Sequence, residues 1–130
     1  MAKYKFSQSS INNMRGVDPQ LVKVAYEALK ISRIDFGIPS TGGLRTSDEQ
    51  NQLYIEGKSK CDGYSKKSLH QTGQALDFFA YVNGKGSWDR EHLAMVACAF
   101  QQAAIQLGTP IKVGGLFKNF EDWPHVELVD

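Results

Sequence analysis

Apolar residues recur at helical spacing in two stretches of the chain, with shorter extended runs and polar loops around them. Leu21, Val24, Ala25, Ala28 and Leu29 follow Asp18-Pro19. An aspartate cap and a proline in the first turn predict that a helix starts there. A second stripe, Leu93, Val96, Ala97, Phe100, Ala104 and Leu107, follows Asp89 as its expected cap and stops at Gly108 and Pro110. Between them, Thr46 with Glu49, or Ser47 with Gln50, has capping-box spacing and predicts a helix ending near Gly57. Phe36, Ile38 and Leu44 suggest extended segments broken by Pro39 and Gly42-Gly43. Ala75 to Tyr81 reads as one buried strand, Asn83-Gly84 as a tight turn, and Ile111–Val113 and His125–Val129 as two further strands. Residues 1–17 read as polar chain with Tyr4, Phe6 and Ile11 as anchors, and residues 57–67 as a loop. Helices separated by short strands, with no repeat or linker, predict one α+β domain over residues 1–130.

Composition narrows the class. With 130 residues the chain is long enough to bury a core without disulfides, and 42% hydrophobic against 22% charged residues is ordinary for a globular protein. Fifteen basic and fourteen acidic residues leave a formal charge of +1, which gives no long-range pull toward nucleic acid. The two cysteines form no disulfide framework: Cys61 lies in a polar stretch, and Cys98 is expected to be a small buried hydrophobe. The first residues, Met-Ala-Lys-Tyr-Lys-Phe, lack the apolar run of a secretory signal, and no stretch reaches membrane-spanning length. The expectation is a cytoplasmic protein that does not insert into membranes.

The chemistry-bearing residues are few. His70 follows the polar loop, and Asp77 interrupts the apolar run Ala75-Leu76-Asp77-Phe78-Phe79. A carboxylate there is expected to be partly buried, which is costly unless it is paired or metal-bound. His125 opens the apolar strand His-Val-Glu-Leu-Val. Two histidines and one carboxylate are a familiar zinc set that leaves a position for water. The same residues also suit structural hydrogen bonding, and spacing alone does not bring His125 to His70. His92 lies off the apolar stripe and reads as solvated.

Residues 68–77, Ser-Leu-His-Gln-Thr-Gly-Gln-Ala-Leu-Asp, fit the pattern Ser-x-His-x-x-Gly-x-Ala-x-Asp. This resembles the signature of the D-alanyl-D-alanine carboxypeptidase and dipeptidase family. Asp122-Trp123-Pro124-His125 is similar to that family's second motif, and Gly43-Leu44-Arg45-Thr46 with Gln50 to its arginine segment. The short form most resembles phage endolysins of the L-alanyl-D-glutamate peptidase type.

The resemblance implies a hedgehog and D,D-peptidase-like fold, with a short, mostly antiparallel sheet and helices packed against it. It implies Zn2+ held by His70, Asp77 and His125. Asp122 would be the general base, taking a proton from zinc-activated water and passing it to the departing amine. Arg45 would bind substrate and stabilise the oxyanion. Many relatives have Glu at the base position, and Glu121 is a rival one residue out of register. Ser68 is expected to shape the turn and contact substrate. Trp123, Phe117 and Phe120 line the groove or pack in the core. Lys58, Lys60, Lys66 and Lys67 are either solvated or face the anionic wall.

The implied function is an endolysin that hydrolyses peptidoglycan stem peptides and lyses the host. It would act as a monomer, released from the host cytoplasm by another protein. The alternatives are a D,D-carboxypeptidase or dipeptidase, and a non-catalytic hedgehog-like binding domain.

Overall fold

The computed structural model describes residues 3–129. In chain order the elements are α1 (Gln8–Asn13), α2 (Pro19–Ile31), β1 (Asp35–Gly37), α3 (Ser47–Ile55), β2 (Ala75–Asp77), β3 (Phe79–Val82), β4 (Lys85–Ser87), α4 (Arg90–Leu107), β5 (Ile111–Val113) and β6 (His125–Leu128). Two 3-10 turns, Leu69–Thr72 and Gly114–Leu116, precede β2 and follow β5. The strands form two antiparallel sheets, ordered β1-β3-β4 and β2-β6-β5.

Local signals account for most helix starts. The Asp18 carboxylate accepts from the Gln20 amide at 2.9 Å, with Pro19 in the first turn of α2. Thr46 and Glu49 form the reciprocal capping box of α3, at 3.1 and 2.8 Å. Asp89 occupies the cap position of α4 without a side-chain cap bond, and Gly108 closes that helix at φ +70. The Asn83-Gly84 pair takes positive φ at both residues, 53 and 77, which suits the tight β3–β4 turn.

The core lies between the facing stripes of α2 and α4 and the inner faces of the strands. Phe36, Phe78 and Phe100 are fully buried, with the Phe78 and Phe100 rings stacked 5.1 Å apart. Each such ring contributes roughly 1.5–3 kcal/mol by leaving water.

Several expectations are corrected. Ala75 to Tyr81 is not one strand: β2 pairs with β6, β3 pairs with β1 and β4, and the chain changes sheet at Phe78. The Phe78 amide donates to the Pro124 carbonyl at 2.8 Å, outside either ladder. Residues 8–13 form a helix, started by Ser7, whose hydroxyl accepts from the Ser10 amide. Ile11 is exposed, and Met14 and Val17 anchor that region with Phe6 instead. Leu44 lies in no strand and is exposed. Cys98 falls on the solvent side of α4, and Leu107, its last residue, is exposed at the end of the apolar stripe. His92 is half-buried, its Nδ1 2.7 Å from the Ser87 hydroxyl.

Candidate metal centre and active site

The pairing of β2 with β6 builds the site. Asp77 and His125 are directly opposite in that ladder, so residues far apart in sequence face each other. The 3-10 turn before β2 brings in His70. Ser68 caps this turn, its hydroxyl accepting from the His70 amide at 3.2 Å, and Gly73 ends it at φ +75. His70 Nε2, Asp77 Oδ1 and His125 Nδ1 then form a triangle with edges of 3.2, 3.1 and 3.3 Å. These three donors are able to hold one metal ion.

Each of the three is itself held. His70 Nδ1 lies 3.0 Å from the Gly43 carbonyl, so its proton is directed there and Nε2 is left free to ligate. His125 Nε2 lies 2.9 Å from Glu127 Oε1, which leaves Nδ1 as the inward atom. Asp77 Oδ2 accepts from Arg45 Nη2 at 3.0 Å, leaving Oδ1 on the triangle. Arg45 also donates to the Thr41 carbonyl at 2.7 Å and to Gln50 Oε1 at 3.0 Å. Gln50 is wholly buried and donates onward to Ser59 and the Cys61 carbonyl. A chain of bonds thus runs from Asp77 to the 57–67 loop.

The charges follow from this packing. Burial alone would raise the Asp77 carboxyl. Hydrogen bonding to His125 and His70, and the charge on those rings, outweigh it and hold the group ionised well below the usual carboxylate range. Burial alone would lower His125, but carboxylates at both its nitrogens, Asp77 and Glu127, raise it to about 9 in the metal-free protein. Asp122 is raised, first by burial and then by the charge of Asp77, against His125, His70 and Arg45.

Asp122 and Glu121 part company. Asp122 Oδ2 lies 4.0 Å from His125 Nδ1, beside the donor triangle. Glu121 pairs with Arg90 at 2.8 Å and accepts from the Trp123 indole at 3.0 Å. The segment is seated on Gly114 and Gly115. The Asp122 amide donates to the Gly114 carbonyl at 2.9 Å, and a Cβ on Gly114 would meet the Asp122 carbonyl at 2.2 Å. A Cβ on Gly115 would strike the Trp123 ring at 2.0 Å. Trp123 therefore packs over this turn and against the core, and is not among the residues lining the groove.

The groove over the triangle has a volume of about 710 Å3 and includes Arg45, Ser68, Asp122, Trp88, Phe117 and Phe120 in its walls. Glu127 and the carbonyls of Gly43 and Thr41 also hold the site, without a motif role of their own in the sequence. Glu127 had one available signal: two residues after His125 in a strand, it shares that residue's face.

Comparison with known proteins adds the family. The sequence profile of the phage L-alanyl-D-glutamate peptidase family matches residues 1–129. The chain belongs to that family. It is 37% identical to the L-alanyl-D-glutamate peptidase of Escherichia phage T5, over 97% of this chain and 98% of that one. It is 32% identical to the peptidoglycan L-alanyl-D-glutamate endopeptidase CwlK of Bacillus subtilis, over 84% of this chain and 72% of that protein. The crystal structure of the Serratia marcescens L-Ala D-Glu endopeptidase ChiX superposes with a TM-score of 0.84 at 33% identity, covering 98% of this chain and 92% of that one. Membership fits the mixed α+β fold, and no helix among the described residues is long and apolar enough to cross a membrane.

Proposed function

We propose that this chain is a phage endolysin: a zinc peptidase that hydrolyses the L-alanyl–D-glutamate bond of the peptidoglycan stem peptide. The observation carrying the proposal is the triangle of His70, Asp77 and His125, built into a groove in a member of this peptidase family. Two imidazoles and one carboxylate suit zinc better than calcium or magnesium, which favour all-oxygen sites. Tetrahedral ligands with bonds of ~2.0–2.1 Å lie roughly 3.3–3.4 Å apart. The donor separations of 3.1 to 3.3 Å are close to that.

Zinc held there supplies a Lewis acid and makes water nucleophilic near neutral pH. Asp122, whose Oδ2 lies 4.0 Å from the inward nitrogen of His125, takes a proton from the attacking water and returns it to the departing amine of D-glutamate. Arg45 fixes Asp77, and three of its five N–H donors are engaged by Thr41, Gln50 and Asp77. The other two are available to stabilise negative charge on the peptide carbonyl oxygen. Ser68 holds His70 and lines the groove.

The enzyme acts as a monomer, a reading supported by the origin of all these groups in one chain. Its substrate lies outside the inner membrane, so it waits in the host cytoplasm until another protein opens that barrier. Light scattering of the purified protein tests the first statement. Lysis in cells expressing the chain with and without a membrane-permeabilising protein tests the second.

The central experiment is digestion of purified sacculi followed by mass analysis of the fragments. New D-glutamate amino termini are expected, lost on chelation and restored by zinc. Release of reducing sugar, or of terminal D-alanine alone, would overturn the assignment.

A further inference from the structure

The lysine-rich loop ahead of His70 is held in a defined place. Asn51 donates to the Asp62 carbonyl and Gln71 to the Gly63 carbonyl, each at 2.9 Å, and the Tyr64 hydroxyl bonds Asp48. With the Gln50 bonds to Ser59 and Cys61, this frame sets Lys58, Lys60 and Lys67 in the groove wall.

The ion pairs separate these cations. Lys58 pairs with Glu56 at 3.3 Å, and Arg45 is bound to Asp77. Lys60 Nζ rests 4.9 Å above the Phe120 ring, across the groove. Among the described residues, neither Lys60 nor Lys67 has a carboxylate oxygen within 4.0 Å. They are the groove lysines not engaged by an acid, in a cleft that also holds Asp122 and Glu127.

The chemistry of the substrate supplies the missing anion. In the stem peptide D-glutamate continues through its γ-carboxyl, so its α-carboxylate is free on the carbon next to the scissile nitrogen. That charge enters beside the carboxylates of the site and is repelled unless a cation receives it. We infer that Lys60 and Lys67 form the subsite for the D-glutamate α-carboxylate, and that they select it over the α-amide of D-isoglutamine. The inference rests on the proposed peptidase reading and adds to it a determinant of specificity.

The test uses the zinc-loaded full chain and two synthetic muramyl peptides that differ only in α-carboxylate or α-amide. The wild type is expected to cleave the carboxylate form with a kcat/KM ten- to a hundredfold higher, the range of a charge-assisted contact. That preference should shrink with added salt. In Lys60→Met/Lys67→Met the preference should fall to within about twofold. The loss should lie in KM for the carboxylate peptide, with the amide peptide cleaved as before. Both side chains are exposed, so the variant is expected to fold. Equal cleavage of the two peptides by the wild type, or an undiminished preference in the variant, would overturn the inference. Failure of the wild type on both peptides would instead overturn the peptidase reading, and the subsite with it.

Discussion

Glu127 offers a sharp test of how the metal centre is held. Its carboxylate lies 2.9 Å from His125 Nε2, while His125 Nδ1 faces Asp77. Glu127→Ala leaves that ring free to turn and its Nε2 without a protein acceptor in a residue only 9% exposed. Loss of such a carboxylate partner typically costs 10–100-fold in metal affinity, about 1.4–2.7 kcal/mol. A second effect opposes it. Glu127 helps raise metal-free His125 to about 9. At pH 7 a metal must therefore displace a proton from that ring, at a penalty of about a hundredfold in affinity. Removing Glu127 lowers this competition, so the orientation loss is partly masked at pH 7 and fully visible at pH 9.

The assay is zinc competition against a colorimetric chelator at both pH values. The affinity loss in Glu127→Ala should be 10–100-fold at pH 9 and smaller at pH 7. Glu127→Gln, whose amide oxygen still accepts from Nε2–H, should lie between the alanine variant and the wild type. Unchanged affinity of the alanine variant at both pH values would refute the reasoning.

Other outcomes follow from particular contacts. Asp122→Asn should keep zinc but lose about 10²–10⁴-fold in turnover. Glu121→Gln should stay active, because Glu121 is engaged by Arg90 and Trp123; the reverse pattern in steady-state rates would exchange their roles. Gly114→Ala forces a Cβ against the Asp122 carbonyl, a contact of 2.2 Å that backbone must relieve, and turnover should fall about 100-fold from the misplaced base. Wild-type turnover in that variant would show that the segment tolerates the shift. Asp62 accepts from the Ser65 hydroxyl and the Lys66 and Tyr64 amides, which lower its pKa to about 2 from the ordinary 3.8. Its support of the loop is thus complete above about pH 4 and lost as the pH falls through about 2. The Tyr64 and Lys66 amide NMR shifts should titrate near 2; a midpoint at 3.8 would show that these bonds do not favour the carboxylate.

The parts of this protein legible in its sequence are those governed by interactions within a few residues. The caps of α2 and α3, the α4 stop at Gly108 and the Asn83-Gly84 turn depend on neighbours along the chain. The motif from Ser68 to Asp77 was equally local, and with it the resemblance that pointed to the family. Tertiary structure decided the rest. The continuous stretch from Ala75 to Tyr81 cannot show that Asp77 and Phe79 belong to different sheets, because the strands they pair with, and the Pro124 carbonyl that Phe78 bonds between them, are distant in sequence. Residue type placed Cys98 inside, whereas it projects from the face of α4 opposite the buried stripe; Leu107 continues that stripe but is the last residue of the helix, where the core ends. Asp122 and Glu121 are adjacent carboxylates with equal chemistry; the position of Arg90 and the Gly114 seat distinguish them. His70 and His125 are 55 residues apart, and no local preference acts over that separation. Their meeting is a consequence of β2 pairing with β6, driven by burial of the sheet face that carries Leu76 and Val126.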